Sequence, residues 1–175
     1  MSFFYHYLFH PIQSMQGRKE WPAQWAVVAI LVSAFIALYR TGSSSLGLWF
    51  FYAVFVTLLL IISSLMIDFI AQLFSLAPNS KQLFYALSIT HIPYIVGLPL
   101  SSLYFMFPNT VLGALAAIGY ALLFVFVIYL QIKAVQCLYD ITVVQAFFLF
   151  ASPLILLLFL ALLLPLSFLM FSVLV

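Results

Sequence analysis

The sequence predicts an all-α polytopic membrane protein: five transmembrane helices preceded by an interfacial amphipathic helix. Three observations carry that reading. Only 5% of the 175 residues are charged while 68% are hydrophobic, and a soluble domain with so few charges could not clothe its surface in polar groups. Five apolar segments each reach the ~20 residues that cross ~30 Å of hydrocarbon. Nothing between those segments is long enough to bury a core of its own, so residues 1–175 read as one membrane domain.

The first element spans residues 3–16. Phe4, Leu8 and Met15 share one helical face with Tyr7 beside it, and His6, His10 and Gln13 fall on the other. That pattern suits a short helix lying in the membrane plane with its apolar face in the lipid boundary. Pro11 splits it and can open a second turn. The opening MSFFYHYLFHPIQSMQGRKEWP lacks an early basic region followed by an apolar core and a small-residue cleavage site, so it does not read as a signal peptide.

The spans follow at about 22–39, 46–76, 82–106, 110–138 and 143–174. Their separators are TGSSS at 41–45, APNSK at 77–81 with the cap candidates Asn79 and Ser80, and the proline turn FPN at 107–109. Thr142 and Gln145 form the T-x-x-Q of a capping box, which would start the last helix. Of the five basic residues, Arg18, Lys19, Lys81 and Lys133 fall on one side and only Arg40 on the other. The positive-inside rule then places the N-terminus in the cytoplasm and the C-terminus outside, in a cell membrane, with Trp21 and Trp25 at the inner interface and Tyr39 and Trp49 at the outer one.

Few polar residues enter the spans. Asp68 lies in LIISSLMIDFIAQLFS, on one face with Ser64 and Gln72. Counted from Trp49 at ~1.5 Å per residue, it reaches about 28 Å and so emerges at the inner interface, not at mid-membrane. Lys133, Gln136 and Asp140 emerge beside it, and Lys81 follows in the next loop. Asp68, Gln72, Lys81, Lys133, Gln136 and Asp140 therefore form a candidate inner-face polar network, in which Asp68 would pair with Lys81 or Lys133. The bland reading of Asp68 is a solvated residue at a helix end.

His91 is expected about 12 Å inside the membrane, beside Thr90 and within ITHIPYIVGLPLS, where Pro93, Gly97 and Pro99 would bend the helix. His91, Thr90 and Pro93 are the candidate intramembrane polar site. In a conduit His91 faces water; in a strut it is dry and bonds a serine or tyrosine on a neighbouring helix. Gly113, Ala117 and Ala121 stand four apart and read as a close-packing stripe, within the bundle or between protomers.

Composition also excludes. A net charge of +2 is too small to suggest nucleic acid. The single cysteine, Cys137, allows no intrachain disulfide. No HExxH, phosphate loop, paired cysteines or plausible Ser-His-Asp set is present, so no catalytic, cofactor-binding or metal-binding residue is assigned and no enzyme is expected. The expected partners are the lipid bilayer and another membrane or membrane-associated protein, including a second copy of the chain.

LFHPIQSMQ before the first span, KQLFYALSITHIPYIVGLPL entering the third, and YLQIKAVQCLYDITVVQAFF joining the fourth to the fifth resemble the Yip membrane-domain family. That family is named for proteins interacting with Ypt/Rab GTPases. The resemblance implies a polytopic membrane protein without known catalysis, of the compact type found in bacterial cytoplasmic membranes. The long cytosolic N-terminal region of eukaryotic members has no counterpart here, so Rab binding does not carry over, nor does any site residue. Two functions remain in view: an organising or partner-binding protein working through its cytoplasmic face, and a small transporter or channel subunit using the bent third helix around His91.

Overall fold

The computed structural model describes residues 7, 11–15, 20–40 and 45–174. Phe4, His6, Leu8, His10, Arg18, Lys19 and positions 41–44 of the TGSSS turn lie outside the described residues. All regular structure among the described residues is helical. It comprises α1 (Pro11–Met15), α2 (Ala23–Arg40), α3 (Leu46–Leu73), α4 (Ser80–Ile89), a 3-10 turn (Ile92–Val96), α5 (Gly97–Met106), α6 (Val111–Tyr139) and α7 (Val143–Leu174). Three units are long and apolar enough to cross a membrane: α3, the stretch Ser80–Met106 that includes the 3-10 turn, and α6.

The stretch Ser80–Met106 is the central one. Half of its apolar window (50%) is buried inside the protein, against 22% for α3 and for α6. At one end α4 packs on α2, α3 and α6; at the other α5 lies along α6 and α2, while α7 closes the bundle against α3 and α6. The buried face of α3 runs Ala53, Leu60, Ser64, Ile67, Asp68, Ala71, spaced as one helical stripe. It meets Leu83 and Leu87 of α4 and Ile132, Val135, Leu138 and Tyr139 of α6 in one apolar cluster. The outward faces stay apolar: Phe50, Phe51, Leu65 and Phe69 of α3 and Val111, Leu115 and Leu122 of α6 are all exposed. An exposed apolar surface this continuous suits lipid contact, not water.

Five hydroxyl groups within the spans are paired on their own helices. Ser33, Thr57, Ser64, Ser88 and Ser102 each donate to a carbonyl three or four residues back, at 2.7–3.0 Å. Inside hydrocarbon this is the cheapest way to keep a hydroxyl paired. Ser64 therefore does not join Asp68, although the two share a face.

The helix ends follow the sequence signals closely. Thr142 and Gln145 form the expected capping box: Gln145 N–H donates to Thr142 Oγ1 at 3.3 Å and Thr142 N–H to Gln145 Oε1 at 3.0 Å. In the FPN turn Asn109 has φ 64°, and Thr110 caps α6 by accepting from Gly113 N–H at 3.2 Å. Asn79 occupies the N-cap of α4, but its side chain makes no cap bond. Helix α3 ends at Leu73 in a Schellman motif, with Ser75 N–H on the Gln72 carbonyl and Leu76 N–H on the Ala71 carbonyl. Ser75 sits in the left-handed region at φ 61°, which a glycine would occupy without cost. Ser75→Gly is expected to raise stability by about 0.5–1 kcal/mol, seen as a higher melting temperature in detergent.

The amphipathic N-terminal helix is corrected by the structure. Met15, expected to face lipid, is fully buried, as is Tyr7. They pack in one cluster with Ala86, Ile89, Leu130 and Ala134, so these two side chains dock on the bundle and not on the bilayer. Pro11 does begin the helical turn, and Gln13 is exposed as expected.

Candidate functional site

Polar structure gathers where α3 ends, α4 begins and α6 ends. Asp68 lies five residues before the end of α3, on its buried stripe, and is only 4% exposed. Three neutral donors serve its carboxylate. Tyr139 Oη donates to Oδ1 at 2.5 Å, the Asn79 backbone N–H to the same oxygen at 2.7 Å, and Gln72 Nε2 to Oδ2 at 3.0 Å. The carboxylate thus ties α3 to the loop that starts α4 and to the last turn of α6. Charge-assisted bonds of this kind are the stronger sort.

The expected ion pair is absent among the described residues. Lys81 is exposed, and Lys133 donates instead to Gln136 Oε1 at 2.9 Å, with its Nζ 5.9 Å from the Tyr129 ring centroid. Asp140 is exposed and ends α6 in the left-handed conformation, φ 54°. The six residues of the inner-face network therefore separate. Asp68 and Gln72 belong to a knot around α3, Lys133 and Gln136 form a local pair on α6, and Lys81 and Asp140 face outward. The solvated reading of Asp68 is corrected too: the residue is at a helix end but turned inward.

Sequence reasoning missed Tyr139 and the Asn79 amide. Tyr139 had a usable signal, since a tyrosine at the end of an apolar helix seeks a partner for its hydroxyl. The amide had none, because backbone groups leave no mark in composition.

Beside the knot lies a cavity of about 490 Å³. It is lined by Ile70, Phe74 and Leu76 from the end of α3 and by Ile141, Gln145, Phe148, Leu149 and Ser152 from the start of α7. None of its lining residues comes from the His91 region.

That region is a real break in the central helix. His91 N–H bonds the Ser88 carbonyl at 3.1 Å, and Tyr94 N–H bonds the His91 carbonyl at 3.0 Å. The Leu87 carbonyl is taken up by side chains: Thr90 Oγ1 donates to it at 2.6 Å, and His91 Nδ1 lies 3.0 Å away. His91 also lies against the Tyr94 ring, which stacks on Tyr120. The bond that holds the His91 ring is therefore to its own helix, where a neighbouring helix was expected. Thr90 and Pro93 are buried, and His91 is half-buried.

The small-residue stripe also divides. Gly113 is buried, but Ala117 and Ala121 are exposed on the outside of the bundle. The side of α6 that meets α5 is rotated from that stripe: Gly119 lies against Leu100, and Tyr120 and Leu123 lie against Gly97. Among the described residues, Ala117 and Ala121 stand on the exposed side of α6. Their replacement by leucine is expected to leave monomer melting within about 0.5 kcal/mol, which thermal unfolding in detergent checks.

The described residues hold no group of three His, Cys, Asp or Glu side chains placed to bind a metal. By fold and surface, the class is an all-helical protein with helices fit to lie in a membrane. Compared with known proteins, the chain matches no family model, no curated protein and no solved structure.

Proposed function

We propose that this is a non-catalytic integral membrane protein with five crossings, N-terminus cytoplasmic and C-terminus outside, which binds a membrane or membrane-associated partner through its cytoplasmic face. The observation that carries the reading is where ordered polar structure sits. The Asp68 knot, the Lys133–Gln136 pair, the exposed Lys81 and the 490 Å³ cavity all lie at the same end of the bundle. The distribution of lysines and arginines makes that end the inner one. Rigid loops held by buried hydrogen bonds suit a surface that must keep one shape for a partner.

Five crossings rest on the three long apolar units together with α2, of 18 residues, and α7, of 32. The Yip-type reading rests on the sequence resemblance alone and is retained as part of the proposal. The transport alternative draws on the broken central helix, where the Thr90 hydroxyl and the His91 ring both engage the Leu87 carbonyl of their own helix.

Two measurements test the proposal. Reporter fusions at residue 43 and after Val175 should report the outer side, and one at residue 79 the inner side; a cytoplasmic C-terminal fusion overturns the topology. Purified protein in liposomes should show no solute flux above empty vesicles. Flux abolished by His91→Ala would replace the partner-binding reading with the transport one.

A further inference from the structure

The cavity beside the Asp68 knot is graded along its length. On the α7 side its lining runs from Gln145 to Ser152, a rise of about 10 Å along the helix. On the α3 side Ile70 and Phe74 stand one turn apart. Phe74 and Gln145 belong to the end where α3 stops and α7 starts; Ile70, Leu149 and Ser152 lie deeper in the spans. Phe74, Gln145 and Phe148 are exposed, so the cavity opens at the surface, whereas Leu149 is buried and Ile70 and Ser152 are half-buried. Its volume of about 490 Å³ falls within the ~300–1,000 Å³ of pockets that hold small molecules.

The polar side chains of the lining are two, and one is spent. Ser152 donates its hydroxyl to the Leu149 carbonyl of its own helix. Gln145 Oε1 accepts two bonds from Thr142, one from the backbone N–H and one from the hydroxyl, both at 3.0 Å. A backbone N–H can only donate, so the amide oxygen is fixed toward Thr142. That leaves the Gln145 Nε2 group without a partner among the described residues. The cavity thus offers N–H donors at the helix-terminus end and apolar walls below them. A ligand that satisfies both parts carries an acceptor oxygen on the end of a hydrocarbon chain. Depth agrees with this. The distribution of lysines and arginines puts the helix-terminus end at the cytoplasmic interface, where lipid esters lie, and the apolar part about 10 Å further in, among the acyl chains.

We propose that this cavity binds one acyl chain of a bilayer phospholipid, with the ester carbonyl on Gln145 Nε2 and the methylenes against Ile70, Phe148, Leu149 and Ser152. The site rests on the membrane reading given above. It differs from lipid contact on the outer faces of α3 and α6, because the acyl chain enters a recess that has a fixed donor at its mouth.

The test places the full-length protein in phosphatidylcholine vesicles doped with a phosphatidylcholine that carries a photoactivatable diazirine on its acyl chain. Labelled residues are located by mass spectrometry of peptides. Labelling at Ile70, Leu149 or Ser152 should exceed that at Leu115 and Leu122, on the exposed face of α6, roughly tenfold, the preference that one hydrogen bond supplies. Two variants separate the site from its surroundings. Gln145→Glu keeps the capping box, since a carboxylate accepts the same bonds from Thr142, but it removes the donors and should abolish the excess. Ser152→Phe fills the deep end and should abolish it too, and both proteins should keep the wild-type melting transition. Ile70→Phe fills the same space from α3 and replaces Ser152→Phe if that protein does not fold. Equal labelling of the cavity and of the α6 face overturns the site while leaving the membrane reading intact, as does an excess that survives either kind of substitution. No labelling at either place overturns the membrane reading and the site with it.

Discussion

Asp68→Ala is expected to destabilise the protein by about 3–6 kcal/mol, measured as chemical or thermal unfolding in detergent. The substitution strands two donors in a dry site. Tyr139 Oη and the Asn79 N–H both point at Oδ1, and Asp68 and Tyr139 are each less than a tenth exposed. Each donor left without an acceptor costs about 1–3 kcal/mol, and bonds to a charged group lie toward the upper part of that range. Gln72 is exposed and turns to water, so it adds little. Asp68→Asn keeps one acceptor oxygen and should cost less, about 1–2 kcal/mol. Tyr139→Phe should cost a similar amount, and the double-mutant cycle of the two should show a coupling of about 1 kcal/mol or more. Lys81→Ala and Lys133→Ala separate this account from an ion pair: neither should couple to Asp68. A lysine variant that destabilised the protein as much as Asp68→Ala would overturn the neutral-donor account.

Gly113→Ala carries the second large effect. An added Cβ would overlap the Phe107 carbonyl oxygen and lie 3.3 Å from its carbon. Both atoms belong to the backbone of the FPN turn, so no side-chain rotation relieves the clash. The same turn is closed by Thr110, whose hydroxyl donates to the Phe107 carbonyl at 2.7 Å and accepts from Gly113 N–H. Relief means opening the turn and losing the cap that starts α6. A cost of about 3 kcal/mol follows, at the upper end of ordinary overpacking. The contrast with Ala117 and Ala121 is diagnostic. If the stripe worked as one packing face inside the chain, leucine at those alanines would be as damaging as alanine at Gly113. Equal damage at all three positions would restore the single-stripe reading.

Much of the architecture was legible in the sequence because it depends on local rules. Apolar length sets which segments can lie in hydrocarbon, and the same rule yields the three long helical units seen here. The capping box at Thr142–Gln145 and the proline turn at 107–109 are encoded in neighbouring residues, and both form. The break in the central helix was also visible, because proline and the residues around it act on their own backbone.

Contacts between distant segments were a different matter. Asp68 stood out in the sequence as the lone acid of an apolar helix, and distance along the axis placed it at a helix end. Which way it turned depended on Tyr139, 71 residues away, and on a backbone amide 11 residues on. Charge pairing had pointed to Lys81 or Lys133, because opposite charges are the partners a sequence displays. Neutral donors satisfied the carboxylate instead, since they reached it within the packed interior and brought no second charge to desolvate. The N-terminal face of Phe4, Leu8 and Met15 posed the same ambiguity. Amphipathic periodicity determines that such a face must be buried, but it is silent about whether lipid or protein buries it. Only the cluster formed with Ala26, Ala29, Ala86 and Ala134 of three separate helices gave Met15 and Tyr7 a place inside the bundle, because such packing is a property of the assembled helices and of no one of them.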